Sequence, residues 1–99
     1  MLFVEIFINL EILDLSVNNI KNMEGLGNLK KLRKMDLSQN MIEEIRGLGS
    51  NLKLEELNLS NNKIKAIEGV FHLINLVIFN LCKNQIKEIP KKIYKLANL

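Results

Sequence analysis

Asparagine recurs along this chain with a strict 22-residue period, at Asn18, Asn40, Asn62 and Asn84, and each lies in the same apolar frame, LxxLxLxxNxI. The frame reads Leu10, Leu13, Leu15, Asn18, Ile20 in the first copy and Leu32, Met35, Leu37, Asn40, Ile42 in the second. It continues as Leu54, Leu57, Leu59, Asn62, Ile64 and then as Leu76, Phe79, Leu81, Asn84, Ile86. A period this strict constrains the fold more than any isolated motif could. Each copy is a short unit that cannot bury its apolar side alone, so the copies must stack.

In LxL the two leucines stand two apart, which puts both on one side of a strand and the residue between them on the other. Four such strands stacked at about 4.8 Å make a parallel sheet whose leucines form one continuous core. The isoleucines of NxIxxI close that core from the return segment. The asparagines have a different role. Where the chain turns away from the sheet, backbone N–H and C=O groups lose their ladder partners, and an amide side chain both donates and accepts. A structural ladder of Asn18, Asn40, Asn62 and Asn84 is therefore expected, with the loss of one amide costing roughly 1–3 kcal/mol. Gly25, Gly47 and Gly69 fall in the bend beyond the return isoleucine, where the absence of a Cβ permits positive φ or close packing.

These residues resemble the leucine-rich repeat family. The segments Met23-x-Gly25-Leu26, Ile45-x-Gly47-Leu48 and Ile67-x-Gly69-Val70 are similar to its 22-residue subclass, typified by the protein phosphatase 1 regulatory subunit and axonemal dynein light chain 1. The resemblance implies an α/β leucine-rich repeat solenoid, right-handed, with a parallel β-sheet on the concave face and short 3-10 or irregular segments on the convex face. It covers nearly the whole chain, as one domain over 1–99 with frames 10–31, 32–53, 54–75 and 76–98 and a partial repeat over 1–9. A length of 99 residues with 47% apolar content suits a single small core. The fourth copy departs from the others, with Ile89-Pro90-Lys91-Lys92-Ile93 in place of IxGL and a step from Leu76 to Leu99 that is one longer than the period. That resembles a longer subclass with an IPxxI bend. Proline fixes φ and suits the first turn of a helix, which predicts a short helix over Lys91 to Leu96.

Both termini fall within a repeat. Counting back one period from Met23, Leu26, Leu29 and Leu32 reaches Met1, Val4, Phe7 and Leu10, and Leu99 stands where a fifth frame would begin. Solenoids normally carry polar terminal caps, and neither is legible here. The expectation is a fragment of a longer repeat protein, with Leu2, Phe3, Ile6, Phe7 and Ile8 at one end and Ile93, Leu96 and Leu99 at the other partly exposed. The alternative is that these ends pair with a second copy or a partner, making the chain a self-stacking assembly piece. The opening MLFVEIFINL lacks a basic region and a small-residue cleavage site, and is shorter than the roughly 20 residues a membrane span needs, so it is assigned to repeat core. The single cysteine, Cys82, excludes an internal disulfide, and extracellular members of the family usually carry cysteine-rich caps. A reducing compartment follows, cytoplasm first, with nucleus or cilium as alternatives.

Function is expected where residues between and beside the buried leucines face solvent. The columns there are Ile12, Lys34, Glu56, Ile78, then Asp14, Asp36, Asn58, Asn80, then Ser16, Ser38, Ser60, Cys82. Polar filling between strands accounts for most of the last two. Ile12 at one edge and Val77 with Ile78 at the other have no such account and are candidate anchors for a partner. Arg33, Lys34, Asp36, Glu55 and Glu56 between them form a mixed-charge strip suited to orientation. The candidate partner-binding set is thus Ile12, Asp14, Arg33, Lys34, Asp36, Glu56, Asn58, Val77, Ile78 and Asn80. The resemblance implies a protein partner in regulatory or scaffolding work, such as a phosphatase catalytic subunit or a ciliary motor component.

Other chemistries find less support. His72 is the one histidine and has no second ligand at metal spacing, and Cys82 has no base near it in sequence. No phosphate loop, nucleophile elbow or dinucleotide fingerprint is present, so neither catalysis nor a cofactor is expected. Lys83, Lys87, Lys91, Lys92 and Lys95 form a basic cluster, which leaves nucleic-acid or acidic-surface contact as an alternative without the aromatic or arginine pattern that would strengthen it.

Overall fold

The structure, a computed structural model, describes residues 8–99. Leu2, Phe3, Ile6 and Phe7, with most of the partial repeat over 1–9, lie outside the described residues. Four strands of three residues, β1 (Ile12–Asp14), β2 (Lys34–Asp36), β3 (Glu56–Asn58) and β4 (Ile78–Asn80), form one parallel sheet in chain order. The register follows the sequence period: Leu13 pairs with Met35, Met35 with Leu57 and Leu57 with Phe79. A parallel sheet in which every crossover returns to the adjacent position is a solenoid.

Pairing extends beyond these short strands. Ahead of β2, the amides of Arg33 and Lys34 both donate to the Glu11 carbonyl, at 2.7 and 3.0 Å. Beyond it, Leu37 N–H donates to Asn58 O at 2.8 Å and Gln39 N–H to Ser60 O at 2.9 Å. Under the sheet, Leu32, Leu37, Ile42, Leu54, Leu57, Leu59 and Ile64 are completely buried, as one-sided strands require. The return side is built from tight turns, with Leu29 N–H donating to Leu26 O and Leu32 N–H to Leu29 O, and the same pattern at Leu48, Asn51, Leu54 and at Val70, Leu73, Leu76. In the last copy they tighten into a 3-10 helix, Lys91–Lys95, entered through Pro90 at φ −68°. Ile93, Leu96 and Leu99 repeat the turn pattern of Val70, Leu73 and Leu76 one position later than the period would set, so the extra residue is absorbed at the proline bend.

Two residues of this last copy depart from expectation. Leu96 is buried, because it takes the place in the turn that Leu73 holds one layer below. Ile89 is exposed instead of closing the core: its bend lacks the left-handed glycine of the other copies, and Pro90 takes an extended ψ of 153° in its place. Gly25, Gly47 and Gly69 have φ of 81°, 80° and 69°. A Cβ on Gly47 would overlap the Met23 carbonyl oxygen, and one on Gly69 would come within 2.6 Å of the Ile45 carbonyl oxygen, so the bends stack backbone on backbone.

The asparagine amides join successive turns. Asn40 Nδ2 donates to Leu37 O and Ser38 O in its own copy and to Leu15 O in the copy before, while its Oδ1 accepts from Ile20 N–H at 3.0 Å. Asn62 and Asn84 repeat this one and two copies on, accepting from Ile42 N–H and Ile64 N–H. Asn18 donates to Leu15 O and Ser16 O. The residue before each of these asparagines, Val17, Gln39, Asn61 or Lys83, has φ of 55° to 57°. That column was not legible in the sequence, because only asparagine among its members favours the left-handed region and the β-branched Val17 is strongly disfavoured there.

Candidate protein-recognition groove

Strand alternation sends the residues that flank each central leucine outward, and together they line a groove of about 340 Å³. Of the ten candidates named from sequence, Ile12, Asp14, Lys34, Asp36, Glu56, Asn58, Ile78 and Asn80 line it. Arg33 and Val77 precede their strands by one position and lie in a neighbouring depression with Lys53, Glu55, Asn75 and Asn98. Sequence columns put these two beside the groove residues, and the strand pleat separates them.

Charge in and beside the groove is partly internally paired. Lys34 Nζ is 3.7 Å from Glu56 Oε2 inside it. On the rim Arg33 bridges two copies, 2.9 Å from Glu55 and 3.4 Å from Glu11. Those hydrogen bonds, Glu55 first, raise the Arg33 pKa further above its ordinary value. Asp14 Oδ1 accepts the Ser16 hydroxyl at 2.6 Å and the Ser16 N–H at 2.9 Å, and these bonds hold its carboxyl below the ordinary carboxylate value. Asp36 with Ser38 and Asn58 with Ser60 make the same turn. The serine hydroxyls thus bond two positions back along their own chain segment, not across to the next strand as polar filling would have it. Local Asx turns outcompete the cross-strand arrangement because donor and acceptor are already held together by the chain.

Two polar residues lie away from the groove. His72 Nε2 sits 2.8 Å from Leu48 O, where it ties one return segment to the one below. Asn51 is completely buried on the return side, with Nδ2 donating to Leu26 O and Leu29 O at 3.0 Å each. Sequence reasoning missed Asn51. The available signal was its place between Leu29 and Leu73, where a polar residue interrupts an apolar column at the repeat period. Among the described residues no group of three His, Cys, Asp or Glu side chains could hold a metal ion, and no helix is long and apolar enough to cross a membrane.

An in-phase parallel sheet, asparagine-tied turns and a shallow outward groove define the class of repeat solenoids that offer a surface for proteins. The chain belongs to the leucine-rich repeat family, whose two-copy pattern matches residues 8–50, 30–73 and 52–98. A leucine-rich repeat protein of Leptospira interrogans superposes with a TM-score of 0.89 at 30% identity, covering 97% of this chain and 25% of its own. Two internalins of Listeria monocytogenes are also similar. Internalin C2 has a TM-score of 0.88 at 29% identity, covering 96% of this chain and 42% of its own. The internalin inlF has 0.88 at 25% identity, covering 97% and 28%. This chain therefore spans between a quarter and about two-fifths of the length of these structures. No curated protein matches it in sequence.

Proposed function

We propose that the chain is a non-catalytic protein-recognition module that holds its partner in the concave groove and serves as a regulatory or scaffolding element. The observation that carries this reading is the pair of isoleucines at the two walls of the groove. Ile12 is 62% exposed and Ile78 is 53% exposed, while Leu57 between them in the sheet is fully buried. Apolar side chains at both ends of an otherwise polar groove supply the desolvated contacts on which binding energy concentrates. The floor covers on the order of 300 Å², against about 800 Å² per partner in a standard interface. The rim depression with Arg33 and Val77 therefore contributes as well, or the bound element is small. A phosphatase catalytic subunit or a ciliary motor component as partner rests on family resemblance alone. A reducing, cytoplasmic setting is part of the same reading, supported by the exposed and unpaired Cys82.

An affinity pull-down with mass spectrometry tests the groove, comparing the chain with an Ile12→Glu/Ile78→Glu variant of equal fold by circular dichroism. Proteins retained by the parent and lost by the variant identify the partner and the face. Recovery of one common set by both sinks the groove reading.

A further inference from the structure

The column between the buried leucines reads Asp14, Asp36, Asn58, Asn80, and all four residues do one structural job. Each Oδ1 accepts the backbone N–H two positions on, at 2.9 to 3.0 Å. Asparagine does this at β3 and β4 as well as aspartate does at β1 and β2, so the turn has no need of the charge. Register sets Asp14 directly beside Asp36 on adjacent strands, where like charges repel. Neither carboxylate is ion-paired among the described residues, whereas Lys34 and Glu56 neutralise each other. The groove lining thus holds three carboxylates against one ammonium, a net charge of −2, on a chain whose net charge is +3.

We propose that the groove takes a short extended peptide segment with a Lys or Arg between two apolar side chains, the cation meeting Asp14 and Asp36 and the apolar side chains meeting Ile12 and Ile78. The inference rests on the groove being the binding face. Spacing favours an extended segment. Ile12 and Ile78 stand three strand spacings apart, about 14 Å, and side chains four positions apart on one face of an extended chain are about 13 Å apart. On a helix the corresponding same-face steps of seven and eleven positions give about 10.5 and about 16.5 Å, which fit less well. The small floor suits a short linear segment better than a folded domain. Charge complementarity sets the sign of the central residue: its backbone stands over Lys34 and Glu56, which neutralise each other, and a long cationic side chain reaches from there to the neighbouring row, where it relieves the repulsion between Asp14 and Asp36.

Fluorescence anisotropy with two labelled synthetic peptides, one with a Leu-Ser-Arg-Ser-Leu core and one with Glu in place of Arg, tests this directly. Three proteins are compared: the parent chain, Asp14→Asn/Asp36→Asn, and Ile12→Ser/Ile78→Ser. The asparagine pair keeps the turns, since Asn58 and Asn80 make them already. The expected result is at least a tenfold preference of the parent for the Arg peptide, shrinking to about onefold in the asparagine variant, with both peptides weakened in the serine variant. Added salt should erode the preference in the parent and leave the asparagine variant little changed. Equal binding of the two peptides that the serine variant abolishes overturns the inference and leaves the groove as the binding face. Binding that is not weakened in the serine variant overturns both. Absence of binding by either peptide overturns the inference, and the pull-down then decides the groove reading by itself.

Discussion

Asn62, in the turn beside the sheet, donates to the carbonyls of Leu37, Leu59 and Ser60 and accepts from Ile42 N–H, so both ends of its amide are used. Asn51, on the return side, is at least as deeply buried, yet it donates to Leu26 O and Leu29 O and its Oδ1 has no hydrogen-bond partner among the described residues. Backbone geometry separates them. All the partners of Asn62 are main-chain groups, among them the Ile42 N–H, which has no ladder partner of its own. On the return side the N–H groups of Leu29, Asn51 and Leu54 are already donated to Leu26 O, Leu48 O and Asn51 O within the tight turns. A buried amide is fully used where the backbone leaves a free N–H beside it and half-used where the turns consume their own donors.

The largest effect expected from this contrast is at Asn62. Asn62→Ala strips the buried Ile42 N–H of its acceptor and three carbonyls of a donor, and should cost about 3 kcal/mol. Thermal unfolding followed by circular dichroism should show Tm lower by more than about 10 °C. Val17→Asn tests the neighbouring left-handed column and should gain about 1 kcal/mol, because asparagine tolerates the φ of 55° that valine resists. The reverse change, Asn61→Val, should lose a similar amount in chemical denaturation. Asn51→Leu should stay within about 1 kcal/mol of the parent in either direction, since a side chain of nearly the same shape removes the unbonded oxygen together with the two donated bonds. A loss at Asn51 as large as that at Asn62 would break the comparison. The smallest effect belongs to Asp14, whose hydrogen bonds from Ser16 lower its folded pKa below the ordinary 3.8. Its stabilisation is therefore complete above that value and disappears as pH falls through the lowered one. A slight decline of Tm confined to pH below about 4 should be absent in Asp14→Asn.

The repeat frame made most of the fold legible. Leu37, Leu59, Ile42 and Ile64 are buried where the period puts them, and β1 to β4 carry the LxL leucines in register. The glycine bends were legible because positive φ and close stacking both exclude a Cβ. Ile89 was not, because the same apolar letter closes a core or faces solvent according to how the bend that follows it is made. For the groove, strand alternation puts eight of the ten candidates in its lining. Arg33 and Val77 stand one position ahead of their strands and line the neighbouring depression, because column counting carries no information about where so short a strand begins.

The sequence by itself determined the stacking: a fixed period of leucine, asparagine and glycine admits one arrangement in which every copy buries the same side and supplies the same turn. Tertiary structure alone decided which charged groups pair between copies. Lys34 meets Glu56, Arg33 reaches Glu11 and Glu55, and Asp14 and Asp36 come side by side with no cation paired to them among the described residues. Hydrophobic burial is summed over each copy and tolerates exchange of one apolar residue for another, so it can be read from composition and period. Hydrogen bonds and ion pairs depend on distances of a few tenths of an ångström between residues a full repeat apart, and those exist only once the coil has closed.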